Sequence, residues 1–276
     1  FEGATWKKLI NNVLAKNSTL HFIGLLSDGN VHSHIDNLKK MVIEAKKEGV
    51  KRVRVHALLD GRDVGEMSAL DYFDPFEAFL RELSADGSFD ARIASGGGRM
   101  VITMDRYNAN WDMVRKGWET HVLGEGRQFD NAHDAIVALR EETGAIDQDL
   151  PPFVIAENGK PVGTIEDGDS VILFNFRGDR ALEITKAFEA DTLTEFDRKR
   201  HPHVEYAGMM EYDGDLHIPH QFLVSPPAID RTLAEYLCAS GVRQFSISET
   251  QKFGHVTYFF NGNRSGKFDD KLEEYV

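Results

Sequence analysis

The sequence predicts an α/β fold with a mostly parallel sheet flanked by helices, and three observations predict it. Short apolar runs alternate with stretches whose apolar residues recur at helical spacing. Helical stretches separate successive strand-like runs, the arrangement of βαβ units. The polar segments richest in arginine, histidine and aspartate mostly fall where a strand gives way to a loop or helix. Parallel sheets bind ligands beyond the carboxyl ends of their strands.

The elements follow in order. Leu20 to Leu26 is an apolar run ending at Ser27-Asp28-Gly29, a buried strand and a turn. Ile35, Leu38, Met41, Val42 and Ala45 then lie on one helical face, closed by Gly49. Val53, Val55, Ala57 and Leu59 alternate with Arg52, Arg54 and His56, a strand of period two. Tyr72, Phe76, Phe79, Leu80 and Leu83 form the next helical stripe, with Asp74-Pro75 expected near its start, where proline is tolerated. A short strand at 91–94 runs into Gly96-Gly97-Gly98-Arg99, which resembles a phosphate-cradling turn but matches neither a P-loop nor a dinucleotide fingerprint. Trp111, Val114, Trp118 and Val122 mark a helix, and Ala135, Ile136 and Leu139 another. Residues 141–170, with Pro151-Pro152 and Asn158-Gly159, read as a long surface excursion. Residues 171–176 form a strand, followed by Arg177-Gly178-Asp179-Arg180 and a helix through Leu182, Ile184 and Phe188. After a linker at Ser225-Pro226-Pro227 come a helix through Leu233 and Leu237 capped by Gly241, a strand at 244–248 and a further strand at 256–260. This last piece, roughly 50 residues, is small for an independent domain. The chain begins at Phe1 rather than Met and ends in a helix barely begun, so we expect it to be part of something longer.

Composition narrows the partners. With 41% hydrophobic and 28% charged residues the chain is of the soluble globular class, and no apolar run approaches the roughly 20 residues that cross a bilayer. A net charge of −13 repels nucleic acid and anionic membranes. An anionic ligand therefore needs a local positive pocket. Cys238 is the only cysteine, expected as a packed core thiol, and fits a reducing, cytoplasmic setting.

Five arginines, a lysine, a histidine and an aspartate stand at the strand ends: Arg62, Arg99, Arg106, Arg177, Arg180, Lys252, His32 and Asp63. The guanidinium fork grips phosphate or carboxylate with two bonds. Arg177 and Arg180, three apart at a helix start, share a face and form an oxyanion clamp or pair with Asp179. Arg106 either contacts ligand or pairs and caps locally with Asp105. Asp63 serves either a structural turn or, held ionised beside Arg62, as a base on a substrate hydroxyl. Lys252 at a strand end either neutralises a phosphoryl group or is solvated. His32 and His34 lack further ligands at metal spacing. The group Asp213, Asp215, His217 and His220 reads as a solvated loop.

These segments, in this order, closely resemble the cofactor-independent phosphoglycerate mutases, which work without 2,3-bisphosphoglycerate. The tracts 19–62, 96–107, 174–180 and 248–266 all match. Gly-Gly-Gly-Arg-Met at 96–100 and Lys-Phe-Gly-His-Val-Thr at 252–257 look most like the plant and trypanosomatid branch. The resemblance implies an isomerase of glycolysis and gluconeogenesis, monomeric, acting on 2- and 3-phosphoglycerate, with an alkaline-phosphatase-like domain and a phosphotransferase domain inserted in it. Residues 5–222 match the inserted domain, 226–276 the start of the returning phosphatase domain, and 1–4 and 222–227 the hinges. It also implies substrate contacts at His32, Arg62, Asp63, Arg99, Arg106, Arg177, Arg180 and Lys252, with Asp63 handling the proton and Lys252 facing a phosphoserine. Two manganese ions, or magnesium or cobalt, serve the complete enzyme. Its serine nucleophile and metal ligands are expected outside this chain, where neither Asp-xxx-His nor Asp-His-Gly occurs, so this portion is expected to be inactive alone. Asn30 replaces a glycine common in the family loop. The alternative is a non-catalytic module that binds phosphoglycerate or glycerate; a phosphonate or phosphate hydrolase is more distant.

Overall fold

A computed structural model of the chain describes residues 1–276 apart from 215, 228, 263 and 265, and apart from the side chain of Gln251. The chain divides into two compact units, Phe1–Ser225 and Pro226–Val276.

The first unit runs α1 (Ala4–Lys16), β1 (Leu20–Leu25), α2 (Ile35–Lys47), β2 (Arg52–Leu59), α3 (Ala69–Leu83), β3 (Asp90–Gly98), α4 (Trp111–His121), β4 (Arg127–Phe129), α5 (Ala132–Thr143), β5 (Phe153–Glu157), β6 (Lys160–Pro161), β7 (Ser170–Leu173), α6 (Leu182–Glu189), β8 (Glu205–Met210) and β9 (Phe222–Val224). The described strands form one sheet in the order β4-β5-β3-β2-β1-β7-β8-β9, with β6 added to β5. The run from β3 to β9 is parallel throughout, whereas β5 meets β3 antiparallel. Helices α1, α2, α3 and α5 pack on one face through Leu9, Val42, Phe73 and Ile136. Helices α4 and α6 pack on the other through Trp118 and Ile184.

All six residues of β1 are buried because it lies between β2 and β7 with helices above and below. The same covering corrects the reading of β2. Its period of two separates two faces but not inside from outside, since Arg54 and His56 are 6% and 0% exposed. Arg54 survives burial by donating to the Val162 carbonyl at 2.7 Å and pairing with Asp90 at 2.6 Å.

Other expectations change as well. Helix α3 starts at Ala69, which puts Pro75 inside it rather than near its start. The Asp147 carboxylate accepts from the Ala69 amide at 2.8 Å, a cap supplied from 78 residues away. The triple glycine is strand, not a cradling turn. A Cβ on Gly96 would lie 2.4 Å from the Phe153 ring, and one on Gly98 2.3 Å from the Gln148 carbonyl oxygen. Residues 141–170 are no surface excursion, because Phe153–Ala156 are buried in β5 between β3 and β4. Residues 256–260 form no strand; a short helix covers Phe253–Val256 and turns follow. In the loop expected to be solvated, Asp213 bridges to Ile218, His217 reaches Glu211 at 3.1 Å and His220 reaches Glu189 at 3.3 Å. Asp215 lies outside the described residues.

The second unit contains α7 (Leu233–Ala239), β10 (Gln244–Ser246), a 3-10 turn at Thr250–Lys252, α8 (Phe253–Val256) and β11 (Glu273–Tyr275). Strands β10 and β11 pair in parallel. The Thr232 hydroxyl caps α7 by accepting from the Glu235 amide. Cys238 is only half-buried, and its sulfur accepts from the Gln244 side-chain amide at 3.1 Å, so it is not the core thiol expected. Among the described residues no helix is long and apolar enough to cross a membrane.

Candidate active site

The carboxyl ends of β1, β2, β3 and β7 deliver the site. Beyond β1 the chain turns through Asn30, whose φ of 56° is left-handed, a conformation asparagine and glycine tolerate. His32 follows and is 4% exposed. Its carbonyl accepts from the Phe176 amide at 2.7 Å, tying the loop after β1 to the loop after β7. Asn175 closes the same seam, its side-chain oxygen accepting from the Leu25 amide at 2.9 Å.

Asp60, immediately after β2, is the hidden anchor. It is 2% exposed. One carboxylate oxygen accepts from the Ser27 hydroxyl at 2.5 Å. The other accepts from the Arg62 and Asp63 amides at 3.2 and 2.9 Å and from Arg99 at 2.8 Å. Burial opposes its charge, but the Ser27 hydroxyl, the Asp63 amide and the Arg99 guanidinium together hold its pKa below the usual carboxylate value. Arg99, just past β3, is 1% exposed and bonds Asp60 and Asp63 at once. Asp63 is therefore held by Arg99, while its sequence neighbour Arg62 is exposed.

A second node centres on Asp179, in the 3-10 turn Gly178–Arg180 that precedes α6. Arg177 pairs with it at 2.9 Å, His32 lies 3.7 Å away and Arg106 3.9 Å away. Arg180 instead donates to the Met104 carbonyl at 2.7 Å. Burial lowers the Arg180 pKa, and the nearby positive charges of Arg106 and Arg99 add to that, with Arg62 a smaller contribution. Burial, then Arg99, pushes His32 down to about 4, so its imidazole is neutral at pH 7.

The first unit thus brings together His32, Arg62, Asp63, Arg99, Arg106, Arg177 and Arg180. Lys252 belongs to the second unit, where it is exposed at the end of the 3-10 turn. Spacing arguments passed over Asp60 as an anchor and gave Asp179 only a pairing role, although both stand at strand ends beside the arginines. Among the described residues of the site the buried His32 Nδ1, Arg99 Nε and Asp179 Oδ1 have no hydrogen-bond partner. Buried polar atoms rarely stay unpaired, and the two nitrogens stand among the guanidinium groups of Arg177 and Arg106 and the carboxylates of Asp60, Asp63 and Asp179. That arrangement suits an oxyanion ligand with several acceptor oxygens. No group of three or more His, Cys, Asp or Glu side chains among the described residues can hold a metal ion.

Residues 1–214 match the family described as the N-terminus of 2,3-bisphosphoglycerate-independent phosphoglycerate mutase. A probable mutase of this kind from Leptospira interrogans is 59% identical over 276 residues, all of this chain and 50% of that protein. The Trypanosoma brucei brucei enzyme is 56% identical over 259 residues, 93% of this chain and 47% of that one. The crystal structure of Leishmania mexicana phosphoglycerate mutase at low cobalt concentration superposes with a TM-score of 0.91 at 53% identity, covering 99% of this chain and 50% of that one. The chain spans about half the length of the curated relatives it matches. It belongs to the 2,3-bisphosphoglycerate-independent phosphoglycerate mutase family.

Proposed function

We propose that this chain provides the substrate grip of a mutase that interconverts 3-phosphoglycerate and 2-phosphoglycerate through a phosphoserine. Residues 5–222 act as the phosphotransferase domain and 226–276 as part of the phosphatase-like domain, with hinges at 1–4 and 222–227. The observation that carries this reading is the pairing of a buried Asp60–Arg99–Asp63 node with the rim of Arg62, Arg106, Arg177 and Arg180. The rim arginines hold the carboxylate and phosphate of the three-carbon acid. Asp63, its carboxylate fixed by Arg99, handles the proton over the two transfers: the oxygen that loses the phosphate to the serine gains a proton first, and the hydroxyl that later accepts the phosphate gives one up to the carboxylate. Neutral His32 bonds a substrate oxygen without adding charge. Lys252 faces the phosphoserine. Glycerate must stay clamped between the two transfers, or water would release it.

The family chemistry calls for a divalent metal, and the Leishmania relative was solved with cobalt. Among the described residues no group of three or more candidate ligands for it occurs. We expect the chain alone to show no mutase turnover with added manganese, and measurable turnover would overturn that part. Titration calorimetry with 3-phosphoglycerate tests the grip. Arg177→Ala should weaken binding about 10- to 100-fold, as expected for lost bonds to a charged group. Unchanged affinity would remove the clamp.

A further inference from the structure

The sheet face beneath α4 carries a hydrogen-bonded chain of six side chains that the proposed chemistry leaves unused. It begins at Asp169, at the amino end of β7. His21 Nε2 lies 3.0 Å from Asp169 Oδ2, and His21 Nδ1 lies 3.0 Å from His56 Nε2. His56 Nδ1 lies 2.7 Å from Ser95 Oγ, and Ser95 Oγ lies 2.7 Å from His121 Nδ1. His121 Nε2 then lies 2.9 Å from Thr103 Oγ1. None of the six is more than 4% exposed.

The hydrogens can be counted. Asp169 also accepts from the Thr19 and Glu166 amides, each at 2.8 Å, which keeps it an ionised acceptor. His21 must then donate from Nε2, which leaves its Nδ1 to accept from His56 Nε2. His56 Nδ1 accepts from the Ser95 hydroxyl, and Ser95 Oγ accepts from His121 Nδ1. His121 Nε2 accepts from the Thr103 hydroxyl. With all three imidazoles neutral, every hydrogen is used once and all point toward Asp169. An extra proton on His21 Nδ1 sets two N–H donors against each other, and one on His56 Nδ1 or His121 Nε2 turns the facing hydroxyl from donor to acceptor and breaks the single direction.

The far end of the chain is a strained residue. Thr103 is β-branched yet has a φ of 70°, a conformation that branched side chains avoid. Its hydroxyl is held by His121, and its amide donates to the Met113 carbonyl at 2.9 Å. It also lies against Gly117 of α4, where a Cβ would fall 2.3 Å from its hydroxyl oxygen. The next residue presents the carbonyl that receives Arg180, and Arg106 follows two positions later.

We propose that Asp169, His21, His56, Ser95, His121 and Thr103 form a one-directional positioning chain that holds Thr103 left-handed and so aims the Met104 carbonyl and Arg106 into the site. The effect on ligand rests on the mutase reading above; the effect on the loop does not.

Nitrogen-15 NMR of the full 276-residue chain tests it at pH 7. The expected tautomers are Nε2–H for His21 and His56 and Nδ1–H for His121; a reversed or doubly protonated ring at any of the three overturns the proposal. Thr103→Val should shift the amide signals of residues 104–108 and lower affinity for 3-phosphoglycerate about tenfold, and Thr103→Ser should restore both. Ser95→Ala cuts the chain without touching the loop and should shift the same amides, which covers the case in which Thr103→Val fails to fold. If Ser95→Ala leaves residues 104–108 unmoved, or Thr103→Val alters only the melting temperature, the chain is structural and the proposal fails. If the wild-type chain binds no 3-phosphoglycerate, the mutase reading falls, while the tautomers and the amide shifts still decide this one.

Discussion

The two faces of the central sheet hold the same strands by different physics. Toward α1, α2, α3 and α5, the sheet and helices present Phe22, Val53, Val55, Phe73 and Phe76, all fully buried. Toward α4 and α6, the apolar residues Ile23, Leu173 and Trp118 share the interior with His21, His56, Ser95 and His121. Apolar burial is non-directional and tolerates repacking. A chain of donors and acceptors is satisfied by one arrangement only and is costly when broken. Both faces therefore contribute stability, but only the second also fixes the placement of the loop that carries Arg106.

Three measurements test this contrast. The largest effect is expected on the apolar face. Phe22→Ala should cost about 3–5 kcal/mol in urea unfolding, and that cost should be the same at pH 7 and pH 5. A cost that varies with pH would erase the distinction. On the polar face, His56→Leu keeps the volume but leaves His21 Nδ1 without a donor and the Ser95 hydroxyl without an acceptor. The expected loss is about 3 kcal/mol, from two orphaned groups at roughly 1–3 kcal/mol each. No loss would mean the chain is energetically idle.

The third effect is pH dependence, and its sign follows from burial. Burial lowers the His121 pKa to about 3 and, with a smaller contribution from the Arg99 charge, the His32 pKa to about 4; burial also lowers His21 and His56. The unfolded chain takes up these protons near pH 6.5 and the folded chain only far below it. Stability is therefore complete above pH 6.5 and drains as the pH falls toward 4 and 3. His121 alone accounts for about 2 kcal/mol between pH 7 and pH 5. Wild-type unfolding curves should show this loss, and His121→Gln, which cannot take a proton, should show a shallower slope. Equal slopes would show that His121 is not buried as a neutral ring.

Much of the fold was legible because its signals are local. The apolar run of β1, the helical stripe from Ile35 to Ala45 and the helix after Arg180 lie where the spacing puts them. Three of the misses share one cause, a partner distant in sequence. Asp147 caps α3 from outside the helix, Phe153 and Gln148 dictate the glycines of β3, and β5 gains its place only by pairing with β3 and β4. In the site, the arginines could be read from their positions at strand ends. Their partners could not. Asp63 adjoins Arg62 in sequence yet is held by Arg99, and Arg106 adjoins Asp105 yet leans toward Asp179.

The order of residues was enough to establish an α/β chain, a cationic rim on an acidic protein and a family likeness, because periodicity, charge and short motifs are carried by neighbours along the chain. Which carboxylate holds which guanidinium, which histidines stay neutral and why Thr103 tolerates a left-handed backbone were decided only by folding. Those outcomes depend on desolvation and on hydrogen bonds between strands far apart in sequence, and no window of adjacent residues contains them.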